Sequence, residues 1–145
     1  MTVTFCGHRD VCCSHELRGL LYDSVESLIR QGAVEFLLGG YGNFDIMAAH
    51  VVKELKEKYF DIRSVMVIPY IDRKYNKELY DISEYPLLEN VPKRFAIVKR
   101  NEYMVDKSDA VVAYVKDDFG GAARMLRYAE RKSKTVINIA KLLIK

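Results

Sequence analysis

Three glycine-bearing turns each follow a short apolar segment, at residues 7–9, 39–45 and 120–122. Glycine lets backbone N–H groups approach a phosphate closely, and a helix beginning at such a turn presents its positive end to the anion. Arg9 and Arg100 add positive charge in a planar fork that matches phosphate. The Asp45 carboxylate can accept hydrogen bonds from ribose hydroxyls. These residue types predict a site for a nucleotide or nucleotide-derived ligand.

The candidate ligand-binding residues belong to these turns and to two further segments. They are Gly7, His8, Arg9, Gly39, Gly40, Gly42, Asn43, Asp45, Tyr70, Arg100, Asn101, Gly120, Gly121 and Ala122. Structural explanations stay open beside the binding role. Arg9 can pair with a carboxylate such as Asp10 or Asp45 and only shape the loop. Asp45 near a helix start stabilises the dipole by about 0.3–1 kcal/mol without any ligand. The tyrosines of segment 70–85 can stack on a base or anchor their own loop.

His8, Cys12, Cys13 and His15 lie close together in the sequence, which raises the question of a metal site. Their spacing fits neither a C-x₂-C nor an H-x₃-H frame, and adjacent cysteines do not easily point at one ion. We therefore predict no metal and no cofactor. The three cysteines do not suit a disulfide framework, so we expect reduced thiols.

The apolar pattern predicts the elements that position these residues. Strands are predicted at 3–6, 34–38, 64–68, 109–115 and 135–139, and helices at 14–32, 43–55, 93–108 and 121–131, with Ser14 and Asn43 as N-caps. Segment 70–92 reads as a short helix plus a loop that covers the site, and 140–145 as a short tail. The alternation predicts a single doubly wound α/β domain with a mostly parallel five-stranded sheet and helices on both faces. The predicted strand order is 3-2-1-4-5, so all three turns meet at the carboxyl edge where ligands bind.

Length and charge narrow the choice of partners. A chain of 145 residues suits about one domain, and a formal net charge of +3 tolerates an anionic ligand while arguing against nucleic acid. The basic stripe Arg124, Arg127, Arg131 and Lys134 is interpreted as a solvated helix face. No apolar run approaches the roughly 20 residues that cross a bilayer, and the N-terminus lacks leader features, so we expect a cytoplasmic protein.

Four segments in order, 5–9, 39–45, 100–106 and 120–122, resemble a bacterial family of the SLOG superfamily whose first strand ends in a TGHR-type motif. The resemblance implies a Rossmann-like domain from Thr4 to about Ile139 that binds nucleotides or nucleotide-derived ligands. The superfamily includes the LONELY GUY phosphoribohydrolases, which cut the base from a nucleoside monophosphate, and the Rossmann domain of the DNA-processing protein DprA. Members of the superfamily often form dimers, so the resemblance also implies that this chain can form a homo-oligomer.

The phosphoribohydrolases offer a residue-by-residue comparison. Arg100 occupies the place of their arginine, and segment 118–124 keeps the glycines of their Pro-Gly-Gly-x-Gly-Thr-x-x-Glu pattern. Ala122 stands in the threonine place, and Arg124 falls at or near the catalytic glutamate. We therefore predict a ligand-binding or sensing domain. Two alternatives remain: hydrolysis of an N-glycosidic bond by Asp45 or Asp106 with Arg100 in support, and a non-catalytic interaction module.

Overall fold

The computed structural model describes residues 1–143; Ile144 and Lys145, the end of the predicted tail, lie outside this range. The strands are β1 (Thr2–Gly7), β2 (Glu35–Leu38), β3 (Arg63–Val67), β4 (Ile82–Glu84), β5 (Ala110–Tyr114) and β6 (Thr135–Asn138). The helices are α1 (His15–Arg30), α2 (Asn43–Lys56), α3 (Lys93–Lys107) and α4 (Gly121–Arg131), with 3₁₀ turns at Lys77–Leu79 and Ile139–Leu142. In this part of the chain, no helix has the length and apolar character needed to cross a membrane.

One parallel sheet joins these strands in the order β4-β3-β2-β1-β5-β6. The chain builds outward from β1 to β4 and then returns to place β5 beside β1, with Val3 opposite Ala110 and Gly7 opposite Tyr114. The predicted order of the other five strands is correct, and so is the α/β class with a parallel sheet. The predicted count of five is wrong because β4 is a sixth strand. It is short and mostly exposed, so it carries no apolar run that would reveal it.

Alternating side chains along the strands pack against helices on both faces of the sheet. Phe5 and Phe36 point to the face covered by α1 and α2, and Leu37 and Val111 point to the face covered by α3 and α4. Each fully buried side chain of this size contributes about 1.5–3 kcal/mol to folding. Coverage on both faces explains the unbroken apolar runs of the central strands.

The segment between β3 and α3 adds the edge strand β4 to the sheet, and it touches the second predicted turn through Arg73, which donates to the Gly40 carbonyl at 3.2 Å. Glu84 in β4 accepts hydrogen bonds from the Tyr103 hydroxyl and the Lys107 ammonium of α3. Asp81 accepts the Ser64 N–H at 2.8 Å and pairs with Lys56 at 2.6 Å. These contacts hold β4 beside β3, so that three strands lie between β4 and β5.

Candidate functional site

A cavity of about 370 Å³ opens at the carboxyl edge of the sheet, where the strand order reverses between β1 and β5. We call it the switch-point cavity; its walls come from segments 5–9, 97–104 and 117–125 together with Tyr41 and Asp45. Pockets for small ligands start at about 300 Å³. The cavity therefore has the size of a small organic ligand.

The switch-point cavity brings together most of the residues that the sequence singled out. Those in its walls are Gly7, His8, Arg9, Asp45, Arg100, Asn101, Gly120, Gly121 and Ala122. Those outside its walls are Gly39, Gly40, Gly42, Asn43 and Tyr70, together with the carboxylate candidate Asp106. The first predicted turn and the third therefore meet in one place, while the second reaches the cavity only through Tyr41 and Asp45.

The glycines of the second turn serve internal packing. A Cβ on Gly39 would lie 2.9 Å from the Arg100 Cζ, so glycine gives the buried guanidinium its space. Gly42 has φ of +94°, and its Cβ would lie 2.7 Å from the Arg9 Cα. The backbone of this loop was expected to cradle phosphate, but its glycines face Arg100, Arg9 and, at Gly40, Met66.

Asn43 connects two loops and does not cap α2 with its side chain. Gly42 is the N-cap, and the Asn43 side-chain amide pairs with the backbone of Val11: Oδ1 accepts its N–H at 2.8 Å and Nδ2 donates to its carbonyl at 2.7 Å. The Asn43 N–H donates to the Arg9 carbonyl. The predicted N-cap is therefore wrong, because the loop after β1 occupies the polar groups of Asn43.

Asp45 lies in the first turn of α2 with only 9% of its surface exposed. Burial raises the pKa of its carboxyl to about 6, because the charged form loses its hydration. The Arg100 charge and the backbone N–H groups of Tyr41 and Gly39 oppose this rise and favour the carboxylate. Asp45 is thus a buried carboxylate in the cavity wall that titrates close to neutral pH.

Arg100 is 2% exposed and reaches from α3 under the ends of two strands. Its Nη1 donates to the carbonyls of Gly39 at 3.1 Å and Val67 at 2.8 Å, and its Nε donates to Asn101 Oδ1. Burial lowers the pKa of the guanidinium to about 10, which leaves it protonated at neutral pH. Within residues 1–143 its Nη2 has no hydrogen-bond partner, and the side chain lines the cavity. The Nη2 nitrogen of this buried cation is therefore available to a ligand.

His8 and Arg9 line the cavity and already have hydrogen-bond partners within the protein. His8 Nε2 accepts the backbone N–H groups of Lys116 at 2.9 Å and Asp117 at 3.2 Å, which fixes the loop after β5 and places the ring proton on Nδ1. Arg9 Nη1 donates to the Tyr41 hydroxyl at 2.9 Å, and the guanidinium lies 5.7 Å from the centre of that ring. Arg9 is exposed, so a ligand can compete for it.

The N-terminus of α4 opens onto the same cavity. Gly120 is the N-cap with φ of +92°, no side chain caps the helix, and its first turn holds no acidic residue. The first N–H groups of a helix have no partner in a preceding turn, and the dipole gives that end a positive partial charge. Since Gly120, Gly121 and Ala122 all line the cavity, this positive end faces any ligand bound there.

Two predicted residues make contacts elsewhere. The Tyr70 ring lies 4.3 Å from the Lys93 ammonium, outside the cavity. Asp106 accepts the Tyr128 hydroxyl at 2.8 Å and is exposed on α3. Their positions follow from side-chain partners distant in sequence, which local spacing does not reveal.

Several wall residues were not singled out from the sequence. They are Tyr41, Ile97, Met104, Asp117, Phe119 and Met125. Phe119 is 70% exposed and lies directly before the Gly120 N-cap. The sequence does show an aromatic residue next to the glycine turn, and this signal could have identified Phe119. The others depend on how α3 and α4 pack.

Cysteine chemistry at the site is limited to a buried thiol. Cys6 donates to the Ala122 carbonyl at 3.0 Å, and burial raises its pKa, so it stays protonated. Cys12 and Cys13 are exposed. The described residues, 1–143, contain no group of three or more His, Cys, Asp or Glu side chains arranged to hold a metal ion.

Comparison with known proteins identifies the family of this chain. The model of the YspA SLOG family matches residues 14–144. The chain belongs to this family. A UPF0398 protein from Halalkalibacterium halodurans is 27% identical over 140 residues, which cover 83% of this chain and 74% of that protein. The resemblance to the SLOG superfamily that the sequence motifs indicated is thereby confirmed.

Solved structures confirm the fold. DNA processing protein A from Helicobacter pylori matches with a TM-score of 0.66 and 21% identity, over 94% of this chain and 63% of that one. The molybdenum cofactor carrier protein from Chlamydomonas reinhardtii matches with a TM-score of 0.64 and 16% identity, over 93% and 73% of the two chains. At these identities the likeness establishes the α/β Rossmann-like fold alone.

One prediction about partners is wrong. Nucleic acid was argued against on the modest net charge, yet the H. pylori protein, which shares this fold, has a single-stranded DNA binding mode. A net charge of +3 describes the whole surface and does not exclude a local nucleic-acid site.

Proposed function

We propose that this protein binds a nucleotide or nucleotide-derived ligand in the switch-point cavity. The observation that carries the proposal is the convergence of two positive groups on one cavity: the uncapped N-terminus of α4 and the free Nη2 of Arg100. Backbone N–H groups at a helix start and an arginine fork are both suited to phosphate. The ligand phosphate lies between them.

Asp45 supplies the contact for the sugar. Its carboxylate stands in the same wall and accepts hydrogen bonds from ribose hydroxyls above its pKa of about 6. Phe119, Met104 and Met125 give the cavity apolar surface for the base. A phosphate, a sugar and a base thus each have a partner of suitable chemistry.

A matched pair of variants at Gly121 tests the phosphate contact. Gly121 is the first residue of α4, so its N–H is one of the groups at the helix start that have no partner in a preceding turn. A Cβ built at Gly121 has no neighbour within 4 Å. Proline is tolerated at the first helical position but removes the N–H, whereas alanine keeps it. We expect Gly121→Pro to weaken the tightest-binding nucleotide by about tenfold or more, the loss of one hydrogen bond to a charged group, and Gly121→Ala to retain affinity.

The measurement is isothermal titration of the full chain with AMP, GMP, CMP and UMP, followed by titration of both variants. Retained affinity in Gly121→Pro would remove the α4 N-terminus from the site. If none of the four nucleotides binds, the nucleotide assignment fails.

A second candidate, hydrolysis of the N-glycosidic bond, is favoured by one observation. Asp45 combines a position in the cavity wall with a pKa of about 6, close to that of a general acid or base. Asp106 does not line the cavity and accepts the Tyr128 hydroxyl instead. Chromatography of the same nucleotides after incubation tests this reaction: free base released by the wild type and not by Asp45→Asn would establish it, and intact nucleotides would exclude it for these substrates.

A further inference from the structure

A second cavity, of about 350 Å³, lies between α3 and α4 and adjoins the switch-point cavity. We call it the α3–α4 groove. Ile97, Asn101, Gly121 and Met125 line both spaces. Because Gly121 is the first residue of α4, the positive end of that helix stands at the shared wall.

The groove is basic. Arg124, Arg127 and Arg131 line it against the single carboxylate of Glu102, and their spacing puts all three on one face of α4. Within residues 1–143 none of the three arginines pairs with a carboxylate; the arginines that do so are Arg18, Arg30 and Arg63. Arg127 Nη1 donates to the Asp118 carbonyl at 2.8 Å, whereas the Arg124 and Arg131 side chains have no hydrogen-bond acceptor among residues 1–143.

Apolar surface accompanies these charges. The Tyr128 ring, Ile97 and Val98 form part of the groove, and the Arg131 guanidinium lies 5.7 Å from the Tyr128 ring centre. Arginine over an aromatic ring makes a surface on which a base can stack, by cation–π and stacking contacts. The groove therefore repeats the composition of a nucleotide site: cations beside a flat apolar wall.

We propose that the α3–α4 groove binds a second phosphate-bearing nucleotide unit, joined covalently to the nucleotide in the switch-point cavity. This inference rests on the proposed function of that cavity. The joining phosphate lies at the N-terminus of α4, where the two spaces meet, and Arg124 and Arg131 hold the phosphate of the second unit. The ligand class is thus a chain of at least two phosphate-linked nucleotides, either a small dinucleotide or the end of a single-stranded nucleic acid.

The test compares AMP with the 5′-phosphorylated dinucleotide pApA by isothermal titration at one ionic strength, with the G, C and U pairs in parallel. The variant is Arg124→Gln/Arg131→Gln, which leaves Arg127 and its contact to the loop before α4 intact. The control is Lys74→Gln/Lys77→Gln, which removes the same charge from two exposed lysines that line neither space.

We expect the wild type to bind the dinucleotide about tenfold or more tightly than the mononucleotide, as for hydrogen bonds to charged groups. The arginine variant should lose this gain and keep its affinity for the mononucleotide, and the lysine control should keep both. Titration with a 5′-phosphorylated single strand of the same base shows whether the natural ligand is a small dinucleotide or the end of a nucleic acid. Tighter binding than that of the dinucleotide assigns nucleic acid, and equal or weaker binding assigns a small dinucleotide.

Three results would overturn the inference while leaving the proposed function intact. The first is equal affinity of the wild type for mononucleotide and dinucleotide. The second is a gain that persists in the Arg124→Gln/Arg131→Gln variant. The third is loss of the gain in the lysine control as well, which would assign it to net charge. If none of the mononucleotides binds the wild type, the proposed function fails, and the groove assignment, which rests on it, fails with it.

Discussion

Asp45 places a largely buried carboxylate in the wall of the switch-point cavity. Its carboxyl is buried beside the Arg100 guanidinium. Burial first, and the Asp45 charge second, raises the pKa of the Cys6 thiol and that of the Tyr80 phenol. The cavity thus contains one carboxylate that is costly to ionise and one cation that partly compensates for it. A carboxyl with a raised pKa in a cavity wall is a frequent feature of functional sites.

The pH dependence of stability follows from the pKa of Asp45. Its value of about 6 in the folded protein exceeds the ordinary 3.8, so the folded state binds the proton more tightly and ionisation opposes folding. The penalty is complete above pH 6 and disappears as the pH falls toward 3.8. We expect the unfolding free energy of the wild type, relative to Asp45→Asn, to rise by roughly 2–3 kcal/mol between about pH 7.5 and pH 4 in urea titrations. A difference that does not change with pH would contradict the raised pKa.

Arg100 holds the ends of β2 and β3 together besides facing the cavity. Arg100→Ala leaves the Gly39 and Val67 carbonyls without their donor, and each buried carbonyl left unpaired costs about 1–3 kcal/mol. We therefore expect this variant to lose at least about 2 kcal/mol of stability in urea denaturation, with Arg100→Lys in between. An Arg100→Ala protein as stable as the wild type would show that the two carbonyls find other donors.

At the scale of elements, the start of α2 depends on the loop that follows β1. Asn43 binds the backbone of Val11, and Gly42 passes the Arg9 backbone at a distance that excludes a side chain. These contacts join the two loops, which supply Arg9 and Asp45 to the wall of the switch-point cavity.

Two glycine substitutions separate the need for glycine at position 42 from ordinary helix propensity. Gly42→Ala introduces a Cβ at φ of +94° and 2.7 Å from the Arg9 Cα, so we expect a loss of about 1–2 kcal/mol or more. Gly19→Ala lies inside α1 with no neighbour within 4 Å, so it should gain about 0.5–1 kcal/mol. Thermal denaturation measures both. Equal effects of the two substitutions would show that the contact at Gly42 relaxes freely.

At the scale of the whole molecule, stability is concentrated around β1 and β5. These strands are covered on both faces, whereas β4 is three residues long and attached mainly through β3 and Glu84. Local opening of the edge breaks few apolar contacts and requires little free energy.

Hydrogen exchange should show this gradient. We expect the amides of β5 to exchange most slowly among the strands and those of β4 to exchange most rapidly. Glu84→Gln weakens the contacts to Tyr103 and Lys107, so it should accelerate exchange in β4 and leave β5 unchanged. Slow exchange in β4, or acceleration throughout the sheet, would contradict an edge that opens by itself.

The sequence was informative where physical causes are local. Apolar runs separated by glycine turns predicted the central strands, and the reversal of strand order located the cavity between β1 and β5. Local patterns did not reveal β4, which is held by Glu84 and Asp81, or the inward role of Gly39, which depends on a guanidinium 61 residues away. The α3–α4 groove was read as a solvated basic face because its depth depends on how the two helices pack.

The close approach of Arg100 to Gly39 has a consequence for how this sequence can change. A Cβ at position 39 and a guanidinium at position 100 compete for the same volume, since they would be 2.9 Å apart. A substitution at either position alone leaves a clash or a void, while a shorter side chain at position 100 frees position 39 to accept a small residue. Positions 39 and 100 should therefore vary together among relatives, and a library that randomises both should return folded pairs that single-site libraries miss.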